Sequence, residues 1–308
     1  MLINIKRNNQ PNVKIKESMN DRMFLIFLYI ILSAILIIVA YPLIYILSSS
    51  FSSSDALMEG KVWLWPVELN LNGYDAVFRY PEVWRGFFNS IIYSVLGTIL
   101  SVSLTIMFAY PLSRKTFFGR SFIIYLLLFA MIFNGGLIPF YLVVKNLGMI
   151  NTMWAVFVPS ALNIFSVIVA KTFFQHTIPN ELYEASQIDG CNDIRFLLKI
   201  VLPLSKPIIA VLTLWSVVNL WNSYFNALMF LNDQALYPLQ LVLREVLVLD
   251  NAQMTSMNLS PELIQKFEDM KFLLRYSVII IASIPMLILY PFAQKYFIQG
   301  VMIGSVKE

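Results

Sequence analysis

The fold depends on the stretch from Pro179 to Pro207, which reads PNELYEASQIDGCNDIRFLLKIVLPLSKP. It is polar and charged, whereas long apolar runs lie on both sides of it. Glu181 in a first turn suits the positive end of a helix dipole, and Gly190 suits the left-handed turn that commonly ends a helix. We therefore predict a helix that has Asn180 as its N-cap and ends at this glycine, followed by a second helix.

The composition indicates a membrane protein. Of the 308 residues, 58% are hydrophobic and 13% are charged, whereas about a quarter of the residues are charged in soluble globular chains. A bilayer core needs about 20 apolar residues in a helix, and six runs meet that requirement. They are Phe24–Leu47, Phe87–Tyr110, Ser121–Val144, Met153–Phe173, Pro207–Leu231 and about Leu274–Ile298. Because lipid offers backbone groups no hydrogen-bond partners, we predict an all-α membrane protein with six transmembrane helices. Prolines inside four of the runs predict kinks or local breaks.

The distribution of lysine and arginine predicts the orientation. Most of these 22 residues fall in the first tail, in the second-to-third and fourth-to-fifth connections, and near the last residues. Both termini and the 179–207 stretch are therefore predicted to be cytoplasmic, in a multi-pass protein of the cell membrane. The predicted division is a cytoplasmic tail over 1–23, a six-helix domain over 24–298 that contains the 179–207 loop, an external loop over 232–272, and a cytoplasmic tail over 299–308.

The central parts of the six predicted spans contain no Asp, Glu, Lys, Arg or His. Carriers coupled to protons or ions usually need an ionisable group at membrane depth, so energy is expected to enter from outside the spans. No GxxxxGK[ST] sequence is present to cradle ATP, and one cysteine and one histidine leave no constellation for catalysis or metal binding. We therefore predict a subunit that is not an enzyme and that holds no metal or cofactor itself.

A polar stripe is predicted on the fifth span. Trp215, Asn219, Asn222 and Asn226 recur at i, i+4, i+7 and i+11, which places them on one face of a continuous helix. Asn163 on the fourth span could join them. Amides donate and accept hydrogen bonds, so this face suits a translocation path or gate for a neutral, hydroxyl-rich solute. The alternative is that these asparagines only join helices to each other by hydrogen bonds.

The motifs of the polar stretch resemble those of a known family. The letters EAS at 184–186, DGC at 189–191 and IVLPL at 200–204 closely resemble the "EAA" motif of ABC importer permeases. The departures are Ser186 and Cys191, where alanine is usual, and both are small. The letters NGGLIP at 134–139 and QGVMIGSVK at 299–307 extend the resemblance to carbohydrate importer permeases. The most similar group is that of the maltose-permease second subunit, and within it the oligosaccharide permeases of Gram-positive bacteria.

The resemblance implies a type I ABC importer permease fold with cytoplasmic coupling helices. Such a permease pairs with a homologous second permease and with two ATP-binding subunits, which hold ATP and Mg. An extracellular solute-binding lipoprotein delivers a carbohydrate, which crosses the bilayer by alternating access. The resemblance implies that Glu184, Ala185, Ser186, Asp189 and Gly190 contact the ATPase, and that the C-terminal tail with Gly304, Ser305 and Lys307 reaches it too.

Several alternatives remain at this point. In such heterodimers the partner permease can hold most of the sugar, which leaves the role of the asparagine stripe open. An ABC permease for a non-sugar solute, or a secondary carrier, is the alternative function. A nucleic-acid partner is not expected.

Overall fold

The computed structural model describes residues 18–133, 135–248, 272–291 and 294. Some predictions fall outside the described residues: those on most of the N-terminal tail, on the later part of the 232–272 loop, and on the C-terminal tail with Gly304, Ser305 and Lys307. Within the described ranges, every regular element is helical and no strand occurs.

Fifteen helices are used below. They are α1 (Met19–Ser50), α2 (Ser54–Met58), α3 (Asn72–Arg79), α4 (Pro81–Ser113), α5 (Arg120–Ile132), α6 (Leu137–Asn146), α7 (Trp154–Phe157), α8 (Ile164–Thr177), α9 (Asn180–Ile188), α10 (Asp193–Phe196), α11 (Leu202–Leu204), α12 (Lys206–Trp221), α13 (Phe225–Phe230), α14 (Leu239–Val248) and α15 (Phe272–Pro291). A turn of π-helix, Leu197–Val201, joins α10 to α11.

Within the described residues, helix α1 buries little of its length. It begins with a capping box, in which the Asp21 N–H donates to Ser18 Oγ at 3.4 Å and the Ser18 N–H donates to Asp21 Oδ2 at 3.2 Å. Its most apolar window buries no residue within the described structure. Its buried residues are Ser48–Ser50 in the last turn, where Ser48 Oγ donates to the Leu64 carbonyl at 2.6 Å.

Helix α4 packs against α8, α12 and α14. Small side chains recur along its buried face, which lets the neighbouring backbones approach closely. A Cβ on Gly97 would lie 2.7 Å from Leu220 Cδ1 and 2.9 Å from Phe157 Cβ, and a Cβ on Gly86 would lie 3.2 Å from Leu239 Cα. These glycines set the distance from α4 to α12 and α14.

Among the described residues, three helices, α1, α4 and α15, are long and apolar enough to cross a membrane in one piece, and the count is up to five if two bent pairs are each one span. The predicted third run divides into α5 and α6, whose axes differ by 116°. This break precedes Pro139, which lies in the first turn of α6, where a missing N–H costs no hydrogen bond.

The fourth and fifth predicted runs are divided as well. Helix α8 begins only at Ile164, after an irregular segment that contains Pro159, and the Ser166 N–H donates to Asn163 Oδ1 at 2.9 Å as its N-cap. The fifth run divides into α12 and α13, because α12 ends at Trp221.

Candidate functional site

The 179–207 stretch folds as the predicted helix, glycine turn and helix. Gly190 adopts φ +73°, its N–H donates to the Gln187 carbonyl at 3.0 Å, and the Cys191 N–H donates to the Ser186 carbonyl at 2.9 Å. This pair of bonds is a Schellman motif, which satisfies the last carbonyls of α9. The prediction that a glycine in the left-handed conformation ends this helix is therefore confirmed.

The two helix starts differ in their caps. Pro179 occupies the N-cap position of α9 and makes no side-chain capping bond, so the predicted N-cap role of Asn180 is wrong: Asn180 is the first helical residue. At α10, Asn192 is the N-cap, and its Oδ1 accepts the Arg195 N–H at 2.8 Å. This amide cap starts α10 two residues after the glycine turn.

Most of the predicted ATPase-contacting residues are solvent-exposed. Glu184, Ala185, Asp189 and Gly190 are exposed, and Glu184 forms no salt bridge with the described residues. Ser186 is different: it is buried at 6% exposure, and its Oγ donates to the Tyr183 carbonyl at 2.7 Å. Ser186 therefore packs α9 onto the chain rather than facing outward.

Tyr183 ties α9 to α10. Its hydroxyl donates to Asp193 Oδ1 at 2.8 Å, and Gln187 Nε2 donates to the same hydroxyl at 2.7 Å. The hydrogen bond to Asp193 raises the pKa of Tyr183. The ring meets Phe196 edge-to-face, with centroids 5.3 Å apart, and Phe196 is fully buried. The two helices therefore form one joined unit rather than a free loop.

This unit runs directly into α12. The segment Asp193–Leu204 meets α12 at 82°, and the turn is made at Ser205, which is fully buried. Phe196 and Val201 belong to one apolar core with Leu112 of α4 and Leu212 of α12. The polar stretch is thus packed against the helices whose other ends line the cavity described next.

A cavity of about 280 Å³ lies between α4, α8 and α12. The structure brings together Asn163, Trp215 and Asn219 around it, as the sequence predicted for these three. The remaining lining residues are Gly97, Ser101, Ser160, Ala161, Ser166, Ser216, Leu220 and Ser223. The described lining contains hydroxyls, amides and one indole ring, but no charged side chain. It can therefore exchange hydrogen bonds with a polar solute without offering it a counter-charge.

The other two asparagines of the predicted stripe do not line this cavity. Because α12 ends at Trp221, the prediction that all four residues share one helical face is wrong. Asn222 is exposed, and its Nδ2 donates to the Val218 carbonyl of its own helix at 2.9 Å. Asn226 is buried, and its Nδ2 donates to the Val156 carbonyl at 3.0 Å and to Ser160 Oγ at 2.8 Å. Asn226 thus joins elements within the protein, as the alternative interpretation held.

The sequence places these sites in a family. Residues 101–303 match the family described as binding-protein-dependent transport system inner membrane component. The chain belongs to this family. Its members are the membrane-spanning permease subunits of ABC importers, which are transport components rather than enzymes, so the predicted resemblance is confirmed.

Curated relatives cover nearly the whole chain. The polygalacturonan/rhamnogalacturonan transport system permease protein YtcP of Bacillus subtilis (strain 168) is 37% identical over 289 residues, which are 94% of this chain and 100% of YtcP. Protein LplC of the same organism is 41% identical over 266 residues, which are 86% of this chain and 88% of LplC. The melibiose/raffinose/stachyose import permease protein MelC, also from that strain, is 30% identical over 249 residues, which are 80% of this chain and 84% of MelC.

A solved structure has the same fold. A chain from the crystal structure of a bacterial ABC transporter involved in the import of the acidic polysaccharide alginate superimposes with a TM-score of 0.82 at 32% identity. The match covers 91% of this chain and 99% of that one. The predicted type I ABC permease fold is therefore confirmed at the level of the overall architecture.

Two features of the site were not predicted from the sequence. Ile188 is an apolar side chain at 87% exposure beside Asp189, and the amphipathic pattern of a nine-residue helix is too short to single it out. Arg114 lies at the end of α4 and contacts Tyr183 across 69 positions of sequence. No local pattern in one sequence connects two positions so far apart.

Proposed function

We propose that this chain is the passive transmembrane subunit of an importer that carries an oligosaccharide across the cell membrane, driven by ATP hydrolysis in partner subunits. The cavity between α4, α8 and α12 is the observation that carries this proposal. Its hydroxyl and amide lining, with Trp215 beside it, matches a solute that is rich in hydroxyl groups and has apolar ring faces.

The size of the cavity supports a shared path. At about 280 Å³ it lies just below the range for small-molecule sites, which is roughly 300–1,000 Å³. An oligosaccharide needs more room than one such cavity provides. We therefore propose that a homologous second permease completes the path and holds part of the sugar. The part of the path that this chain contributes is lined by Asn163, Trp215 and Asn219.

The proposed topology has six spans with both termini in the cytoplasm. Helices α1, α4 and α15 are three of them, the bent pair of α5 with α6 is the fourth, α8 with the irregular segment before it is the fifth, and α12 with α13 is the sixth. The bias of lysine and arginine to one side supports this orientation. In it, residues 232–272 face outward, where a solute-binding lipoprotein delivers the sugar.

The α9–α10 unit is the proposed coupling element. Glu184, Ala185, Asp189 and Gly190 present an exposed surface of small and acidic residues, which suits close contact with a basic surface of an ATPase subunit. Closure of the two ATPase subunits would move this unit and switch the path between inward and outward openings. In the same assembly, the tail with Gly304, Ser305 and Lys307 extends toward the ATPase.

Three similar proteins suggest the first substrates to test. YtcP is named for polygalacturonan and rhamnogalacturonan, and the structural relative belongs to an importer of the acidic polysaccharide alginate. MelC, in contrast, is named for melibiose, raffinose and stachyose. Because the described cavity lining has no basic residue, a sugar acid would have its charge met by the partner permease or the binding protein.

The test is uptake by the complete importer in proteoliposomes, with ATP inside and the binding protein outside. Labelled oligogalacturonides and labelled raffinose are compared, with and without a protonophore. We expect uptake of at least one sugar that needs ATP and persists when the proton gradient is collapsed. Uptake that stops with the gradient while internal ATP remains, or no uptake of either sugar, would overturn the proposal.

The cavity is tested in the same vesicles with a matched pair of variants. Asn219→Leu replaces a lining amide by an apolar group of similar size and is expected to reduce uptake severalfold. Asn222→Leu makes the same change one turn further along, outside the lining, and is the control. Equal uptake by both variants would contradict the assignment of the cavity to the path.

A further inference from the structure

The guanidinium group of Arg114 is enclosed by three aromatic rings. Its Cζ lies 4.3 Å from the centroid of Tyr183, 5.0 Å from that of Phe196 and 5.2 Å from that of Tyr110. These are distances at which a cation is attracted to the face of a ring. Nη2 also donates to the Tyr110 hydroxyl at 3.4 Å. We call this arrangement the Arg114 cage.

The charge of Arg114 has no carboxylate partner in the described part of the chain. Asp193 of α10 accepts a hydrogen bond from the Tyr183 hydroxyl and forms no salt bridge with Arg114. A half-buried cation is therefore held by ring faces, which are sensitive to angle and distance. Such a contact fixes the position of Tyr183 more closely than an exposed ion pair between flexible side chains would.

The cage joins three separate helices. Arg114 is the C-cap residue directly after α4, Tyr110 belongs to the last turn of α4, Tyr183 belongs to α9, and Phe196 belongs to α10. From Arg114 the same α4 helix runs about 20 Å to Ser101, which lines the cavity. Helix α4 therefore connects the α9–α10 unit, through the side chain of Arg114, to the wall of the proposed path.

We propose that Arg114 is a positioning residue that transmits movement of the α9–α10 unit to α4. When α9 is displaced, the cage moves the end of α4 with it, and α4 carries that displacement to the cavity wall. This inference rests on the proposed coupling role of the 179–207 stretch, and it adds a residue from a different connection of the chain to that role.

The experiment measures labelled sugar imported per ATP hydrolysed by the complete importer in proteoliposomes. Arg114→Gln removes the charge and the planar group, and we expect the ratio to fall about fivefold while ATP hydrolysis continues. Arg114→Lys keeps the cation and is expected to restore at least part of the ratio. Lys115→Gln removes an exposed charge from the adjacent position and is the matched control, with an unchanged ratio.

A double variant separates coupling from general damage. Arg114→Gln and Tyr183→Leu disrupt the same cage, so together they are expected to lower the ratio no more than either change alone. If the fold decreases of the two single variants multiply in the double variant, Arg114 and Tyr183 do not act as one unit. Co-purification of all subunits and an unchanged thermal unfolding temperature are required of each variant, and loss of import through failed assembly would also count against a coupling role.

Glu184→Lys distinguishes the two proposals. If Glu184→Lys lowers sugar imported per ATP but Arg114→Gln does not, the inference about Arg114 fails and the proposed coupling surface stands. If Glu184→Lys leaves the ratio normal, the coupling role of the stretch fails, and the role of Arg114 fails with it.

Discussion

Substitution of Gly190 separates the conformational role of this residue from its proposed contact with an ATPase. Its φ of +73° lies in the left-handed region, and no heavy atom lies within 4 Å of the position of a Cβ. A new Cβ therefore meets no heavy atom of the described chain, so the internal cost of Gly190→Ala is that of the backbone conformation. We consider Gly190→Ala, Gly190→Asn and Gly190→Val.

The magnitude follows from that conformation alone. A left-handed backbone costs an ordinary L-residue about 1–2 kcal/mol, which corresponds to roughly a 5- to 30-fold change in a local folding equilibrium. Asparagine is enriched severalfold in this region, so its cost is smaller, whereas a β-branched residue is an outlier there. We expect the loss of amide protection at the end of α9 to be largest for Gly190→Val, smaller for Gly190→Ala and smallest for Gly190→Asn.

Hydrogen exchange of the α9 amides in the assembled importer measures this cost. Gly148→Ala is the control, because Gly148 has φ +68° and equally open surroundings at a distant turn. It should lower protection locally and leave α9 unchanged. The reasoning from backbone strain would be refuted if Gly190→Ala left the protection of the α9 amides unchanged. It would also be refuted if Gly190→Asn and Gly190→Val lost the same amount of protection.

The asparagine variant then reports on the contact surface. Gly190→Asn adds atoms to the exposed face at small conformational cost, so any fall in sugar imported per ATP with α9 still protected comes from collision with another subunit. We expect such a fall. Normal import by Gly190→Asn would refute a close contact at this position.

Three further substitutions test the packing around the cavity and the contact of Asn151 with residues 232 and 233. Gly97→Ala places a Cβ 2.9 Å from the buried Phe157 and should destabilise the subunit by about 1–3 kcal/mol. The measurement is the thermal unfolding temperature, which should be lower than that of the control Gly135→Ala, whose Cβ meets open space. Asn226→Leu leaves the buried Val156 carbonyl and the Ser160 hydroxyl without their donor and should cost about 1–3 kcal/mol, whereas the exposed Asn222→Leu should cost little; equal unfolding temperatures for the two would contradict this. Asn151→Ala removes the oxygen that accepts the N–H groups of residues 232 and 233, at 3.0 and 2.9 Å, and those two amides should exchange faster; unchanged exchange would contradict the contact.

Local chemistry explains what the sequence predicted well. The glycine that ends α9 and the asparagine turn before α10 are specified by residues within three positions of each other, so backbone preference and capping suffice. The helical class followed from runs of apolar residues that need internally satisfied backbone groups. Lysine and arginine placement gave an orientation, which remains a prediction.

Tertiary contacts explain what the sequence did not reveal. The end of α12 has no proline or glycine to signal it. Trp221 is buried there, and its Nε1 donates to the Ala282 carbonyl of α15 at 3.0 Å, while Asn226 bonds across to Val156. These partners lie 61 and 70 positions away in the sequence. Helical periodicity alone therefore predicted that the helix and its polar face continue past Trp221, which is wrong. The Arg114 cage escaped prediction for the same reason.

The isolation of α1 has a consequence for how the protein is made. Its most apolar window buries no residue against the rest of the described chain, and its buried residues are Ser48–Ser50 in the last turn. Its insertion is therefore a property of its own sequence, and it can enter the bilayer as soon as it leaves the ribosome, before α4 has been synthesised. We therefore expect α1 to hold the growing chain at the membrane while the closely packed helices that follow it assemble.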